Sequence, residues 1–202
     1  VGRKVSQFPE EIQDALRIFI LSYNSAHSTL MTRVVAKKNS PDFVITGAQP
    51  GVLYISGLPV EKNILLGLNR KLKTFVEAFQ KIESSKGMVE FINGSSTNIQ
   101  LKNNTIDYIF ADPPFGDFIP YSEINQINEA WMGIVTDNTE EAIINPAQGK
   151  AIEEYSNLMN SVFGQISRKM KANASCTLVF HSAKSIIWRA LVNAYKQSGL
   201  YS

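Results

Sequence analysis

Cysteine is nearly absent from this chain. Cys176 is the single one in 202 residues, so no internal disulfide can form, and its neighbours Thr177, Leu178, Val179 and Phe180 predict a buried strand position. A reducing, cytoplasmic setting is expected on that ground. Histidine is scarce too: His27 and His181 are the only two, and neither has Cys or acidic partners at metal-ligand spacing, which argues against zinc. No apolar run approaches the ~20 residues that cross a bilayer, and no signal-peptide pattern opens the chain, so no membrane partner is expected. Charge of one sign is also missing. Twenty Lys and Arg against 18 Asp and Glu leave a net +2, without the basic excess of a stand-alone nucleic-acid binder. Local clusters remain at Lys62, Arg70, Lys71 and Lys73, and at Arg168, Lys169 and Lys171, although such runs are usually solvated helix faces. No internal repeat or low-complexity segment occurs. With 44% hydrophobic residues the chain has the material for one ordinary core.

What the chain does have is Asp112-Pro113-Pro114-Phe115-Gly116, directly after the apolar run Ile106–Ala111. The run predicts a strand, and the prolines end it, placing a carboxylate at a strand's carboxyl end. In open α/β sheets ligands bind in the crevice beyond those ends. Two prolines fix φ at successive steps and remove two donors, giving the Pro113 carbonyl a set direction. The Asp112 carboxylate and the Pro113 carbonyl are both acceptors and can take both N–H hydrogens of an aromatic NH2 group. The nitrogen then turns pyramidal and its lone pair is freed for attack on a methyl carbon, while Phe115 stacks on the base. Positioning of this kind supplies on the order of 7–11 kcal/mol without metal or covalent nucleophile.

These residues resemble the catalytic motif of the S-adenosylmethionine-dependent amino-methyltransferases that methylate adenine N6 or cytosine N4 in DNA. The resemblance extends through the run Val89–Phe115, whose strand, Gly-containing loop, spacer and Thr105-Ile106-Asp107-Tyr108-Ile109 approach to the motif follow the family's order. Tyr121, Ser122, Glu123 and Trp131, then Glu141-Ala142-Ile143 and Gln148-Gly149-Lys150, are similar to a branch of large adenine-specific DNA methylases carrying Asp-Pro-Pro-Phe-Gly. The likeness is strong over residues 88–133 and weaker over 134–199; residues 1–60 have no counterpart. Three departures stand out. The family's glycine-rich cofactor turn is missing, and the nearest segment, Gly47–Gly51, reads as a hairpin turn. Ser95 stands where the family often has Asp, and Phe115 replaces the commoner Tyr.

The resemblance implies an α/β fold, a partial Rossmann-like class I methyltransferase sheet flanked by helices. Residues 1–60 are expected to form an N-terminal helix and hairpin extension, and 61–202 the catalytic-motif half of a methyltransferase domain. It further implies S-adenosylmethionine as cofactor, and as partners DNA and the remainder of a methyltransferase chain carrying the glycine-rich loop.

Hydrophobic spacing fills in the elements. Pro9, Glu10 and Glu11 open a helix with Ile12, Ala15, Leu16, Phe19, Tyr23, Ala26 and Leu30 as its buried stripe. Phe43–Ile45 and Val52–Ile55 flank Gln49-Pro50-Gly51 and predict a hairpin. A long helix with Ile64, Leu65, Leu68, Leu72, Phe75, Val76, Phe79 and Ile82 on one face is stopped by Gly87. Then follow a strand over Met88–Ile92, the strand before Asp112, a helix from about Ser122, its cap, to Trp131, and an irregular stretch over 133–150. An amphipathic helix over Ala151–Lys171 uses Ile152, Tyr155, Met159, Val162, Phe163 and Ile166, and after it come a strand over Cys176–His181 and a last helix after Lys184 with Ile187, Ala190, Leu191 and Ala194 inward.

The expected catalytic residues are Asp112, Pro113, Pro114 and Phe115. Asn93, Ser95 and Ser96, with Asp112, are candidate cofactor contacts, although Asn-Gly-Ser is equally ordinary turn chemistry. Candidate substrate contacts are Phe115, Gly116, Tyr121, Lys150 and His181. Against each stands a plainer reading: a structural histidine at His181, a core aromatic at Tyr121, and a connector around Gln148-Gly149-Lys150. The expected activity is methyl transfer from S-adenosylmethionine to a flipped adenine in DNA, with RNA methylation or an inactive nucleic-acid or partner-binding module as rivals.

Overall fold

A computed structural model describes residues 5–27, 31, 33–36, 38, 39, 41, 43–46 and 53–201. In chain order the elements are α1 (Glu10–His27), β1 (Arg33–Ala36), β2 (Phe43–Thr46), α2 (Ile64–Glu83), β3 (Ile106–Ala111), α3 (Tyr121–Met132), α4 (Ile152–Lys169), β4 (Met170–Leu178) and α5 (Ser185–Gln197). A single 3-10 turn, Pro146–Gln148, precedes α4. The result is a mixed helix and strand chain with a small parallel sheet flanked by helices. It divides into two compact units, residues 1–89 with 121–136 and residues 90–120 with 137–202. The expected boundary near residue 60 falls inside the first unit. No helix among the described residues is long and apolar enough to cross a membrane.

In the first unit α1 begins at the acids Glu10 and Glu11, which favour a helix N-terminus. Asn63 caps α2 by accepting from the Leu66 amide at 3.0 Å. Phe19 of α1 meets Phe75 of α2 with ring centroids 5.2 Å apart. Tyr23 lies over Gly67, where an added Cβ would fall 1.6 Å from the phenol oxygen, so only glycine fits there. Asn24 donates to the Ile127 carbonyl of α3 and accepts from Trp131 Nε1. The remainder of the α2 stripe is not buried as expected: Ile64, Leu65, Leu72, Val76, Phe79 and Ile82 are 44–74% exposed. Periodicity marks an amphipathic face, and Leu68 and Phe75 are the most buried residues of this one.

Other expectations shift as well. The hairpin pairs β2 with β1, Val34 opposite Ile45, rather than with residues 53–55, which form no strand. Leu30, Gly47, Gln49, Pro50, Gly51 and Val52 lie outside the described residues, as do the side chains of Ala26 and His27. Ser122 is the second residue of α3, not its cap, and is buried.

The second unit holds the main core. α4 buries Tyr155, Met159, Phe163 and Ile166, at i, i+4, i+8 and i+11, and α5 buries Ile187, Leu191 and Ala194. Glu153 and Glu154 open α4 and Arg168 and Lys169 close it, matching the helix dipole. Glu154 also reaches back to accept from the Ala151 amide. β3 and β4 run parallel, Tyr108 opposite Ser175 and Ala111 opposite Leu178. Ile109, Ala111, Ala174, Cys176 and Leu178 pack on the two helices. Alternate residues of β3 face the other way, leaving Tyr108 55% and Phe110 64% exposed.

Two strand expectations are corrected here. Residues 88–92 form no strand: no described segment pairs with them, and Met88, Val89, Phe91 and Ile92 are 60–97% exposed. β4 begins at Met170 and ends at Leu178, so α4 stops at Lys169 and His181 lies three residues beyond the strand. Pairing of Met170 with Ile106 starts β4 early, overriding the helix propensity of Met170-Lys171-Ala172.

Candidate functional site

β3 ends at Ala111, whose carbonyl accepts from the Val179 amide at 2.9 Å, the last rung between the two strands. Asp112 follows, exposed, with no hydrogen bond or ion pair to another described residue. The Pro113 carbonyl is likewise unpartnered among the described residues. Pro114 is pinned. Its carbonyl accepts from the Tyr155 hydroxyl at 2.9 Å, and Tyr155 is wholly buried at the start of α4. A buried phenol finds a partner for its O–H, and here that partner is the middle of the motif.

Gly116 completes the turn at φ +74, where a Cβ would come within 2.8 Å of Ile187. The left-handed conformation and the close approach both require glycine. Its carbonyl accepts from the Ile144 amide at 3.2 Å, and the next residue, Asp117, pairs with Lys184. The loop is therefore held at three successive points while Asp112 stays free. Phe115 meets Phe180 edge to face at 5.6 Å, and Phe180 meets Trp188 in the same way at 4.9 Å. The Trp188 indole donates to the Ser182 carbonyl at 2.9 Å.

A cavity of about 400 Å3 lies beside the loop, lined by Asp117, Ile144, Lys150, Ile152, Lys184 and Ile187 among others. Lys150 gives N–H donors to the carbonyls of Asn138 and Glu141, so its charge is committed to closing the 138–150 loop. Asp137 starts that loop. The Thr139 hydroxyl and then its amide hold the Asp137 carboxyl below its ordinary pKa, with Lys150 adding to the effect.

Asp112, Pro113, Pro114, Phe115 and Gly116 thus form one strand-end loop, and His181 is exposed in the nearby β4–α5 connection. Tyr121 opens α3 in the other unit. Asn93, Ser95 and Ser96 occupy an exposed loop whose Ser95 hydroxyl bonds Thr97 at 2.7 Å. The Thr97 carbonyl accepts from Gln165 at 2.9 Å. Gln165 is ten residues along α4 from Tyr155, about 15 Å at 1.5 Å per residue, so the serine turn and the Asp-Pro-Pro loop are held at separate points of that helix.

Sequence reasoning passed over Tyr155, Phe180 and Trp188. Tyr155 read as core, and the only clue to its second role was a hydroxyl that burial obliges to find an acceptor. Phe180 and Trp188 carry no local signal, since only the fold sets them against Phe115. No group of three potential metal ligands occurs among the described residues. No family model, curated protein or solved structure matches this chain.

Proposed function

We propose that this chain carries the amine-holding part of an S-adenosylmethionine-dependent amino-methyltransferase that modifies adenine N6 in DNA, built on a Rossmann-like sheet. The observation that carries the reading is the unpartnered Asp112 carboxylate one residue beyond β3, with the Pro113 carbonyl beside it. Held between these two acceptors, an exocyclic amine directs both hydrogens into the loop and its lone pair away from the ring. A nitrogen that gains a methyl group must shed a proton, and Asp112 is the base in contact with it. Tyr155 holds the Pro-Pro turn still during this exchange, so little reorganisation is needed. Adenine reaches the loop by leaving the duplex, with Phe115 against its face.

S-adenosylmethionine would supply the electrophilic methyl carbon. The described residues do not fit it: the serine turn lies about 15 Å along α4 from the Tyr155 anchor, and the sequence has no glycine-rich strand-to-helix turn. The reading therefore places the donor's cradle on a further segment, the remainder of a methyltransferase chain. The same misfit favours a second reading, a module that binds nucleic acid without turnover.

Methyl incorporation from S-adenosylmethionine into duplex DNA and into total RNA by the complete enzyme that supplies the donor's cradle, with and without Asp112→Ala, tests the proposal. The expected result is incorporation at DNA adenine that Asp112→Ala abolishes while folding is retained. Unchanged turnover in Asp112→Ala would sink the mechanism, and preference for RNA would change the substrate. Nucleic-acid binding without binding of S-adenosylmethionine by the complete protein, read by calorimetry, would favour the inactive module.

A further inference from the structure

α5 buries Ile187, Leu191 and Ala194, and Trp188 lies one step, about 100°, off that stripe. Core packing on that stripe does not by itself explain a large ring at this position. Trp188 is 41% exposed, yet it is not loose: its Nε1 is tied to the Ser182 carbonyl and its ring meets Phe180 at 4.9 Å. Phe180 in turn meets Phe115, so the three rings make one wall running from the amine-holding loop toward solvent. An indole fixed in advance with open surface loses little freedom when a flat ring stacks on it. Stacking on aromatic side chains is the general means of holding unpaired bases.

The charge carried by α5 has the matching sign. Residues 185–197 contain no Asp or Glu but carry Arg189 and Lys196, and the Arg189 guanidinium has no partner among the described residues. A phosphate backbone beside Trp188 would therefore meet no carboxylate on that helix and one free guanidinium.

We propose that Trp188 stacks the nucleotide next to the target amine, so that at least two consecutive nucleotides of the substrate strand leave the duplex and lie unpaired across this wall. The inference rests on the reading of Asp112 as an amine holder and adds a second base position to it.

The test uses Trp131→Phe, which leaves Trp188 as the only indole, since the chain has two tryptophans. A single-stranded adenine-containing oligodeoxynucleotide is titrated while indole fluorescence is followed, beside an abasic oligomer of equal length and charge. Saturable quenching by the first and none by the second is expected. In the otherwise native chain, Trp188→Leu, which keeps apolar bulk without a stacking face, is expected to weaken binding on the order of tenfold by anisotropy of a labelled oligomer. Equal binding and quenching by the abasic oligomer, or unchanged affinity in Trp188→Leu, would overturn the proposal. No methyl donor is present in either experiment. Failure of the amine-holding reading shows instead in the Asp112→Ala transfer assay, so the two results are read separately.

Discussion

Tyr155 shows how one hydroxyl ties a core to a site. Its ring belongs to the buried stripe of α4, while its oxygen belongs to the Asp-Pro-Pro loop. Tyr155→Phe keeps the ring and leaves the Pro114 carbonyl without its donor. The expected cost is about 1–3 kcal/mol of stability, read as a lower urea midpoint with an unchanged slope. Methyl transfer in the complete enzyme should fall further than stability alone explains, through kcat rather than KM, because the adjacent Pro113 carbonyl loses its fixed direction. An unchanged midpoint would remove the bond from this account. Asp112 is the opposite case: no described residue bonds its carboxylate, so its removal should be felt in chemistry and not in folding.

Among the elements, β4 has one face packed on α4 and α5, and Cys176 points that way. Burial pushes the Cys176 thiol above its ordinary pKa. The folded chain then keeps the proton at a pH where the unfolded chain, ionising near ~8.5, has shed it. Below that pH the contribution is intact, and it is lost as pH rises toward the folded value. Urea midpoints at pH 7 and pH 9.5 should therefore diverge more in the native chain than in Cys176→Ala; equal differences would mean that the thiol is effectively solvated.

β3 was legible in the sequence because Ile106–Ala111 is apolar and bounded by Pro113 and Pro114, and α4 and α5 because their stripes are truly buried. Residues 88–92 have the same apolar character but no ladder partner, which a local pattern does not encode. The α2 stripe is amphipathic for the same reason that α4 is, yet periodicity says nothing of whether another surface covers it. In the site, Asp112–Gly116 could be read because proline and glycine act locally. Phe180 and Trp188 could not, because only packing sets them beside Phe115.

At the scale of the whole chain, burial is uneven. Tyr155, Met159, Phe163, Ile166, Met170, Ile187, Leu191 and Ala194 form one continuous cluster in the second unit, while in the first Val5, Tyr23 and Met31 are the buried apolar residues among those described. Local opening energies follow such differences. Amide exchange is expected to be slowest in α4, α5 and the β3–β4 pair, faster in α2, and fastest over residues 88–92. Equal protection of α2 and α4 would show that the α2 stripe is covered in solution.

α4 also sets a rule for how the loops it holds can change. Tyr155 and Gln165 grip the Asp-Pro-Pro loop and the serine loop from positions about 80° apart around the helix, at 100° per residue. One inserted residue would lengthen the span by only about 1.5 Å but swing one grip about 100° out of phase. Seven residues would nearly restore the phase while adding about 10 Å. The distance between the two loops is therefore adjustable only in whole turns, and length changes in α4 that ignore the period should release one loop or the other.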